Sequence, residues 1–289
     1  MSDTISRMSS GGIVYPVEDE TARKETASLF ENNDALYEGR DLTKVFALEI
    51  GKFTDAWAWI KDRIANANYT GIHVGDYIPM TVKGETHEMQ IAGIDTYYRT
   101  TDHELEHHID FISRDCYSQT VQWNTTNNNN GNATSACPYL VSNLKTFLDA
   151  LYESLPDAVK RVISNKRFLL EQRYSSSGAL TDSTSWSWED MGKLWVPTEY
   201  EVFGSVVWGT KGYSAMQSVQ YPIFRNSLKN RIKGVGPKGS RCYWWLASVR
   251  SGYSTHACRV PHNGLADGWD ASSAIRVPLC FRITAAKAA

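Results

Sequence analysis

Residues 194–204 read LWVPTEYEVFG and contain the clearest local structure signals in the chain. Its first three residues predict a short apolar strand, which Pro197 ends because proline has no backbone N–H to donate to a ladder. Thr198 and Glu201 have the spacing of a capping box, so a short helix begins there. Gly204 ends that helix, since glycine readily adopts the left-handed conformation of a C-cap. The stretch therefore predicts a strand, a sharp turn and a helix in close succession.

Strand patterns lie on both sides of this stretch. Residues 75–99 contain two alternating runs around a Gly-containing turn, which predicts a hairpin, and residues 107–115 predict a further strand. The final strands are YWWLAS (243–248), THACRVP (255–261) and AIRVPLCFRI (274–283). Short strands joined by loops therefore make up much of the chain.

Helix patterns are concentrated nearer the N-terminus. Residues 41–67 predict one long helix, with Asp41 as its N-cap. Its apolar residues lie on more than one side, which a neighbouring helix from another chain would explain. A short amphipathic helix is predicted over residues 17–33, and a third helix opens at Pro138 and runs to Tyr152.

The charges are distributed unevenly along the chain. No Asp or Glu occurs from residue 202 to residue 266, whereas this stretch carries nine Lys and Arg residues. The first 201 residues hold thirty acidic and eighteen basic residues. The C-terminal part therefore faces an anionic ligand, faces the acidic part of a neighbouring copy, or simply presents a solvated basic face.

The composition is that of a globular protein, with 42% hydrophobic and 21% charged residues. No stretch is long and apolar enough to span a bilayer, and the N-terminus lacks a signal pattern. We therefore expect synthesis in the cytosol, no secretory export and no membrane insertion. The five cysteines contain no Cys-x-x-Cys pair, which excludes zinc-ribbon and thioredoxin-like sites and favours reduced, buried thiols.

Several motifs together resemble known families. LWVPTEYEVFG resembles the LPTEAEWE signature of the formylglycine-generating-enzyme group, a branch of the C-type-lectin-like fold, and VPLCFRI (277–283) resembles its closing strand. The ordered series GDYI, IAGIDTYY, HHIDFISRD, LWVPTEYEVFG, WWLAS and VPLCFRI resembles uncharacterised domains common in tail and fibre proteins of bacteriophages and prophages of gut bacteria. VYPVEDETARKE (14–25) resembles segments that precede the head domains of such proteins.

The resemblance implies an α+β, C-type-lectin-like domain with short antiparallel strands and a loop-rich surface, preceded by N-terminal helices. The motif series covers roughly residues 70–284, which we expect to form a head domain. The small polar residues 1–12 predict a flexible N-terminus, residues 13–69 are expected to form a helical attachment and trimerisation segment, and residues 285–289 a tail. It further implies a homotrimer in the virion tail that is made in the bacterial cytoplasm, contacts other phage tail proteins and binds a host surface glycan or protein.

The enzymatic activity of the formylglycine-generating group is not expected in this chain. That activity depends on a closely spaced cysteine pair in the C-terminal part, whereas Cys242, Cys258 and Cys280 are far apart in sequence. We therefore expect no catalytic residue, no bound metal and no cofactor.

The candidate binding residues lie between YWWLAS and the terminal strand. Tyr and Trp provide contact area at low entropy cost, and Asn, Ser and Gly provide adaptable hydrogen bonds, as in antibody paratopes. Arg side chains suit phosphate or carboxylate groups. Strand alternation predicts that only one of Trp244 and Trp245 faces outward. The candidates are Arg250, Tyr253, His256, Arg259, His262, Asn263, Asp267, Trp269 and Asp270.

The sequence also allows a metal site, a nucleic-acid-binding surface, a structural protein or an enzyme to be considered. His103, His107 and His108 would suit a metal on a helix, but the strand pattern of HHIDFISRD places the last two on opposite faces. A nucleic acid would be bound by basic side chains and aromatic rings, yet the sequence contains no nucleic-acid-binding motif. A structural tail or capsid protein stays open, as does a glycan-modifying enzyme, which would need converging acidic residues.

Overall fold

The structure is a computed structural model. Its described residues are 7–10, 13–16, 37–100, 106–212, 219–237 and 239–285. In them the chain combines a few short helices with strands that pair mostly antiparallel, so the expectation of a mixed helix and antiparallel-strand architecture is confirmed.

The strands form one five-stranded sheet, one three-stranded sheet and several two-stranded pairs. The described strands are β1 (Arg7–Ser10), β2 (Ile13–Pro16), β3 (Tyr77–Val82), β4 (Glu85–Ile94), β5 (His108–Ser113), β6 (Val121–Gln122), β7 (Ile163–Ser164), β8 (Arg167–Gln172), β9 (Ser185–Asp190), β10 (Lys233–Gly234), β11 (Arg241–Cys242), β12 (Trp244–Val249), β13 (His256–Val260), β14 (Asp267–Asp270), β15 (Ala274–Ile275) and β16 (Cys280–Thr284). The five-stranded sheet has the order β3-β4-β5-β16-β7, and the three-stranded sheet has the order β12-β13-β14.

The helices are short. They are α1 (Leu42–Val45), α2 (Ala47–Ile50), α3 (Ala56–Ala65), α4 (Asn143–Tyr152), α5 (Asp157–Lys160), α6 (Glu199–Phe203), α7 (Pro222–Asn226) and a 3-10 turn (Leu228–Arg231). The helix predicted to open at Pro138 begins later, at α4, because the Ser142 side chain caps it by accepting from Lys145 N. The helix predicted over residues 17–33 lies outside the described residues.

The long helix predicted over residues 41–67 is wrong: the segment forms α1, α2 and α3. Asp41 is an N-cap as predicted, but Phe46 leaves helical geometry at φ −112° and ψ 28°. Asp55 then caps a new helix by accepting hydrogen bonds from Trp57 N and Ala58 N. Asp55 favours this start because its short carboxylate satisfies the free N–H groups of a new first turn.

Helix α3 packs on the five-stranded sheet of its own chain. The Trp57 ring lies 5.7 Å from that of Phe111 on β5 and 5.6 Å from that of Phe281 on β16. Most apolar residues of α3 are therefore covered within the chain, while Leu48 on α2 remains 91% exposed. The predicted trimerisation and domain boundaries stay predictions.

The capping-box stretch folds as predicted from Thr198 onward. The Thr198 side chain accepts from Glu201 N, the Glu201 side chain accepts from Thr198 N, and Gly204 ends α6 at φ 72°. The predicted strand before Pro197 is wrong, because only a single bridge joins Trp195 to Cys280. One bridge is enough to place this apolar run beside β16, an interior strand of the five-stranded sheet.

A buried ionic network joins α6 to the five-stranded sheet. Glu201 accepts a hydrogen bond from the Lys166 ammonium, which also donates to the Tyr221 hydroxyl at 3.1 Å. That hydroxyl donates to Asp110 at 2.9 Å, and Arg282 donates to both oxygens of Asp110 at 2.7 and 2.8 Å. Burial alone would raise the pKa of Asp110, but Arg282 outweighs it and holds this pKa at about 2. Asp110 therefore stays charged beside Arg282, and the network links α6, β5 and β16.

Both tryptophans of YWWLAS are fully buried, so the prediction that one faces outward is wrong. The Trp244 indole donates to Arg231 O and the Trp245 indole donates to Val121 O, each at 2.9 Å. Alternation does turn the two rings to opposite faces of β12, but neighbouring segments cover both faces at this end. All five cysteines are likewise buried and free, as predicted.

Candidate binding surface on the three-stranded sheet

Large exposed side chains, most of them aromatic, lie around the three-stranded sheet. They lie on β14, on the loop after α6 and beside β12 and β13. Each is more than a third exposed. These are Trp208 (40%), Tyr243 (37%), Tyr253 (46%), Leu265 (62%) and Trp269 (45%). Exposed apolar area concentrated in one region marks a contact surface.

Arg250 lies between two of these rings. Its guanidinium carbon is 4.6 Å from the centre of the Trp208 ring and 4.2 Å from that of Tyr253. No ion pair within 4.0 Å joins Arg250 to a carboxylate among the described residues, and its buried Nε lacks a hydrogen-bond partner there. Gly268 gives the side chain room, because a Cβ at that position would lie 2.5 Å from Arg250 Cδ. We call Trp208, Arg250 and Tyr253 the Arg250 stack.

Glu199, the first residue of α6, positions Trp208. Its buried carboxylate accepts hydrogen bonds from Val207 N and Trp208 N at 2.9 Å and from Gly209 N at 2.8 Å. Burial raises the pKa of Glu199, while these three N–H groups act in the opposite direction. The Trp208 indole also donates to Ala266 O at 3.0 Å. Trp208 is therefore held at both backbone and ring.

Polar side chains hold the loop that carries Arg250 and Tyr253 through hydrogen bonds to its backbone. The fully buried Arg173 donates to the carbonyl oxygens of Arg250 and Tyr253, each at 3.1 Å. Asn129, from the asparagine-rich loop, donates to Tyr253 O at 2.7 Å and also to His256 O. Asp182 accepts a hydrogen bond from Gly252 N at 3.2 Å. These contacts preorganise the loop, which lowers the entropy cost of binding.

A second stack occupies the neighbouring strands. The Arg259 guanidinium lies 4.5 Å from the centre of the Tyr243 ring and 4.0 Å from that of Trp269. Unlike Arg250, Arg259 is largely buried and forms an ion pair of 2.7 Å with Asp267. We call Tyr243, Arg259 and Trp269 the Arg259 stack. Its cation is already neutralised by Asp267, so we do not expect it to bind an anion.

The remaining predicted residues lie around these two stacks. The His256 ring is 4.9 Å from that of Tyr253 and its Nδ1 is 3.5 Å from Asp270, and burial lowers its pKa. His262 Nδ1 lies 3.0 Å from the Tyr243 hydroxyl. Asn263 accepts from Leu265 N and so shapes a turn.

The structure thus brings the predicted residues together in two groups. Successive strand residues point to opposite faces, so Gly268, which lies against Arg250, and Trp269 are on opposite faces of β14. Trp208 was missed by sequence reasoning, as were the supporting residues Arg173 and Asn129. One signal in the sequence could have identified Trp208. It follows α6 closely, and Glu199, the acidic first residue of that helix, can accept hydrogen bonds from the N–H groups of the loop.

Part of the charge asymmetry is balanced within the chain. Lys229 lies 2.7 Å from Glu38, and Arg282 is paired with Asp110. The buried Lys233 donates to Ser113 O at 2.6 Å. The basic C-terminal part therefore does face acidic residues, and those identified here belong to the same chain.

Two glutamates and the histidines are the residues that a catalytic or metal site would use. Glu171 and Glu199 both have a pKa raised by burial, but Glu171 accepts from Val249 N and Ser183 Oγ, and Glu199 accepts from three backbone N–H groups. His103 lies outside the described residues, and within them no three His, Cys, Asp or Glu side chains are grouped as metal ligands. None of the helices in the described part of the chain has the length and apolar character needed to cross a bilayer.

The comparisons with known proteins are sparse. No curated protein and no solved structure matches this chain. A family model described as a domain of unknown function, DUF6273, matches residues 110–283, which run from β5 to β16 and contain both stacks. The match covers more than half of the sequence, and the chain belongs to the DUF6273 family.

Proposed function

We propose that this chain is a receptor-binding protein of a bacteriophage tail fibre or tail tip, with a C-type-lectin-like head. The single observation that carries the binding function is the Arg250 stack: an arginine with no ion-pair partner among the described residues, held between two exposed rings on a preorganised loop. The motif resemblance supports the assignment to a phage tail. The ligand is a host surface glycan or protein that carries an anionic group.

The chemistry of the Arg250 stack favours an anion. The rings cover the two faces of the guanidinium, which leaves its N–H edge to bind a carboxylate or phosphate. Trp208 and Tyr253 also fix the orientation of the side chain, so little entropy is lost on binding. Exposed rings beside it add contact area for the uncharged part of the ligand.

The proposed role needs only weak binding at each site. In a homotrimer, and with several trimers on a virion, a second contact forms within an already tethered complex, which raises its effective concentration. The segment before residue 70 attaches the head to other tail proteins in this proposal. No covalent chemistry, metal or cofactor is invoked.

The binding function can be tested on bacterial cells. Fluorescently labelled protein is mixed with a panel of gut bacteria, and bound fluorescence is measured by flow cytometry. Trp208→Ala and Tyr253→Ala should each reduce binding to the bound strain, whereas Leu228→Ala, which removes an exposed apolar side chain elsewhere, should not. Equal binding by all folded variants would place the receptor site elsewhere.

A structural virion protein without direct receptor binding remains the alternative. It shares the resemblance to tail proteins but gives the Arg250 stack no ligand. Imaging of whole virions that placed the head inside the tail wall would favour it over the receptor-binding role. A glycan-modifying enzyme, the other alternative, would shorten or alter host glycans during incubation with the protein.

A further inference from the structure

The Arg259 stack presents a different chemistry from the Arg250 stack, although both adjoin the three-stranded sheet. We propose that the Arg259 stack binds the apolar face of an uncharged sugar ring, with Trp269 as the stacking platform. This inference rests on the proposed receptor-binding function and names the second kind of group that the receptor carries.

The charge balance argues for an uncharged ligand. Arg259 donates to Asp267 Oδ2 from Nε at 2.8 Å, and its Nη2 lies 2.7 Å from the same oxygen. The other Asp267 oxygen accepts from Gly268 N at 2.8 Å. A new anion would have to compete with Asp267 for the guanidinium, and a new cation would have to compete with Arg259 for the carboxylate. Neither competition arises for a neutral ligand.

The shape of the stack suits a flat apolar surface. Arg259 lies against the Trp269 ring, yet the residue remains 45% exposed. Strand β14 is at the edge of its sheet, so its outer side is not covered by another described strand. The C–H face of a pyranose can therefore pack on the exposed part of the indole, where it gains dispersion and hydrophobic contact.

Polar groups lie at the rim of this platform. The Tyr243 hydroxyl and the His262 ring are 3.0 Å apart, and both residues are exposed. They can donate to and accept from the hydroxyl groups of a sugar, while the exposed Leu265 extends the apolar area. An apolar centre with a polar rim fits a sugar better than it fits an aliphatic peptide.

The two stacks then have complementary tasks. Because Gly268 and Trp269 point to opposite faces of β14, a polymer that crosses this edge strand meets both stacks. Its anionic groups contact Arg250, and its neutral sugar units contact Trp269. The receptor class is therefore a surface polysaccharide that contains both kinds of group.

The proposal can be tested by ¹⁹F NMR on protein labelled with 5-fluorotryptophan. The Trp269 and Trp208 signals are assigned from Trp269→Phe and Trp208→Phe. The probes are neutral methyl glycosides of glucose, galactose and mannose, N-acetylglucosamine, and glycerol phosphate as the anionic probe. We expect at least one neutral sugar to shift the Trp269 signal in a saturable way, and glycerol phosphate to shift the Trp208 signal instead.

The outcomes separate this inference from the proposed function. If no neutral probe shifts the Trp269 signal while Arg250→Gln still abolishes binding to cells, the sugar platform is refuted and receptor binding stands. If neutral probes shift it while Arg250→Gln and Trp269→Phe bind cells like the wild type, the platform stands and the receptor-binding role fails. A Trp269 signal that responds only to protein concentration would show a contact between copies of the chain and overturn the sugar platform.

Discussion

The guanidinium of Arg250 lies 4.6 Å from the Trp208 ring, although the two residues belong to different loops. Each partner is held by its own buried support: Glu199 fixes the loop of Trp208, and Arg173 fixes the loop of Arg250. The contact therefore depends on the fold as a whole. It fixes the orientation of the guanidinium, and in the proposed function this oriented group binds an anion.

The close approach of Arg250 to Gly268 gives the first prediction. Gly268→Ala places a Cβ 2.5 Å from Arg250 Cδ, so the arginine must leave its position between the rings. We expect binding to bacterial cells to fall about tenfold, the equivalent of roughly 1.4 kcal/mol, with the protein still folded. Flow cytometry measures the binding, and circular dichroism checks the fold. Unchanged binding by a folded variant would contradict the role of the Arg250 geometry.

The support from Glu199 gives the second prediction. In Glu199→Gln, the amide N–H₂ cannot accept from the loop, so at least one of the three backbone donors loses its partner. We expect a loss of stability of about 1–3 kcal/mol and weaker cell binding, because Trp208 loses its fixed position. Urea unfolding and flow cytometry measure the two effects. The exposed Glu153→Gln is the matched control and should change neither.

The buried pair of Glu201 and Lys166 gives the third prediction. Glu201→Gln leaves the Lys166 ammonium without its carboxylate, and breaking one side of a buried ion pair costs about 3–5 kcal/mol. Thr198→Ala removes only the cap of α6 and should cost about 1 kcal/mol. Urea unfolding of both variants gives the comparison. A smaller loss in Glu201→Gln than in Thr198→Ala would show that the network does not stabilise the fold.

The buried His108 gives the fourth prediction, a dependence of stability on pH. Burial and, next, the Arg282 charge lower the pKa of His108 to about 4. Since the folded pKa lies below that of the unfolded chain, about 6.5, this stability is complete above pH 6.5 and is lost as the pH falls towards 4. The loss amounts to roughly 3 kcal/mol. Urea midpoints across this range should fall in the wild type, and His108→Gln should show a shallower dependence; an equal dependence in both proteins would reject the assignment to His108.

Local signals in the sequence predicted much of the framework. The capping box needs only Thr198 and Glu201, and the hairpin of residues 77–94 needs only its own alternation and the turn at Gly84. Apolar spacing alone favours one continuous helix over residues 41–67, but Asp55, which follows Gly51, is a second helix start signal. Alternation could not predict the burial of both Trp244 and Trp245. It shows which face of the strand each ring occupies, but not which neighbouring segments cover that face.

The candidate site was only partly predictable for the same reason. Arg250, Tyr253, Arg259 and Trp269 were identified from residue type, because rings and arginines between strands are typical of binding loops. The neutralisation of Arg259 by Asp267 depends on the pairing register of β13 with β14, and Arg250 has no such partner in the part of the chain that the structure describes. Trp208 depends on a Glu199 side chain that reaches across to a separate loop. Such long-range contacts leave no local pattern in one sequence.

The central claim is that Arg250 binds an anionic group of the host surface. The most direct measurement compares the binding of Arg250→Gln and wild-type protein to the same bacterial cells over a range of salt concentrations. We expect Arg250→Gln to lose binding roughly tenfold to a hundredfold at low salt, since a hydrogen bond to a charged group contributes about 1.5–3 kcal/mol, and to depend less on salt than the wild type. Arg225→Gln, which removes an exposed arginine from α7, should bind like the wild type. Equal losses in both variants, or no loss in Arg250→Gln, would contradict the claim.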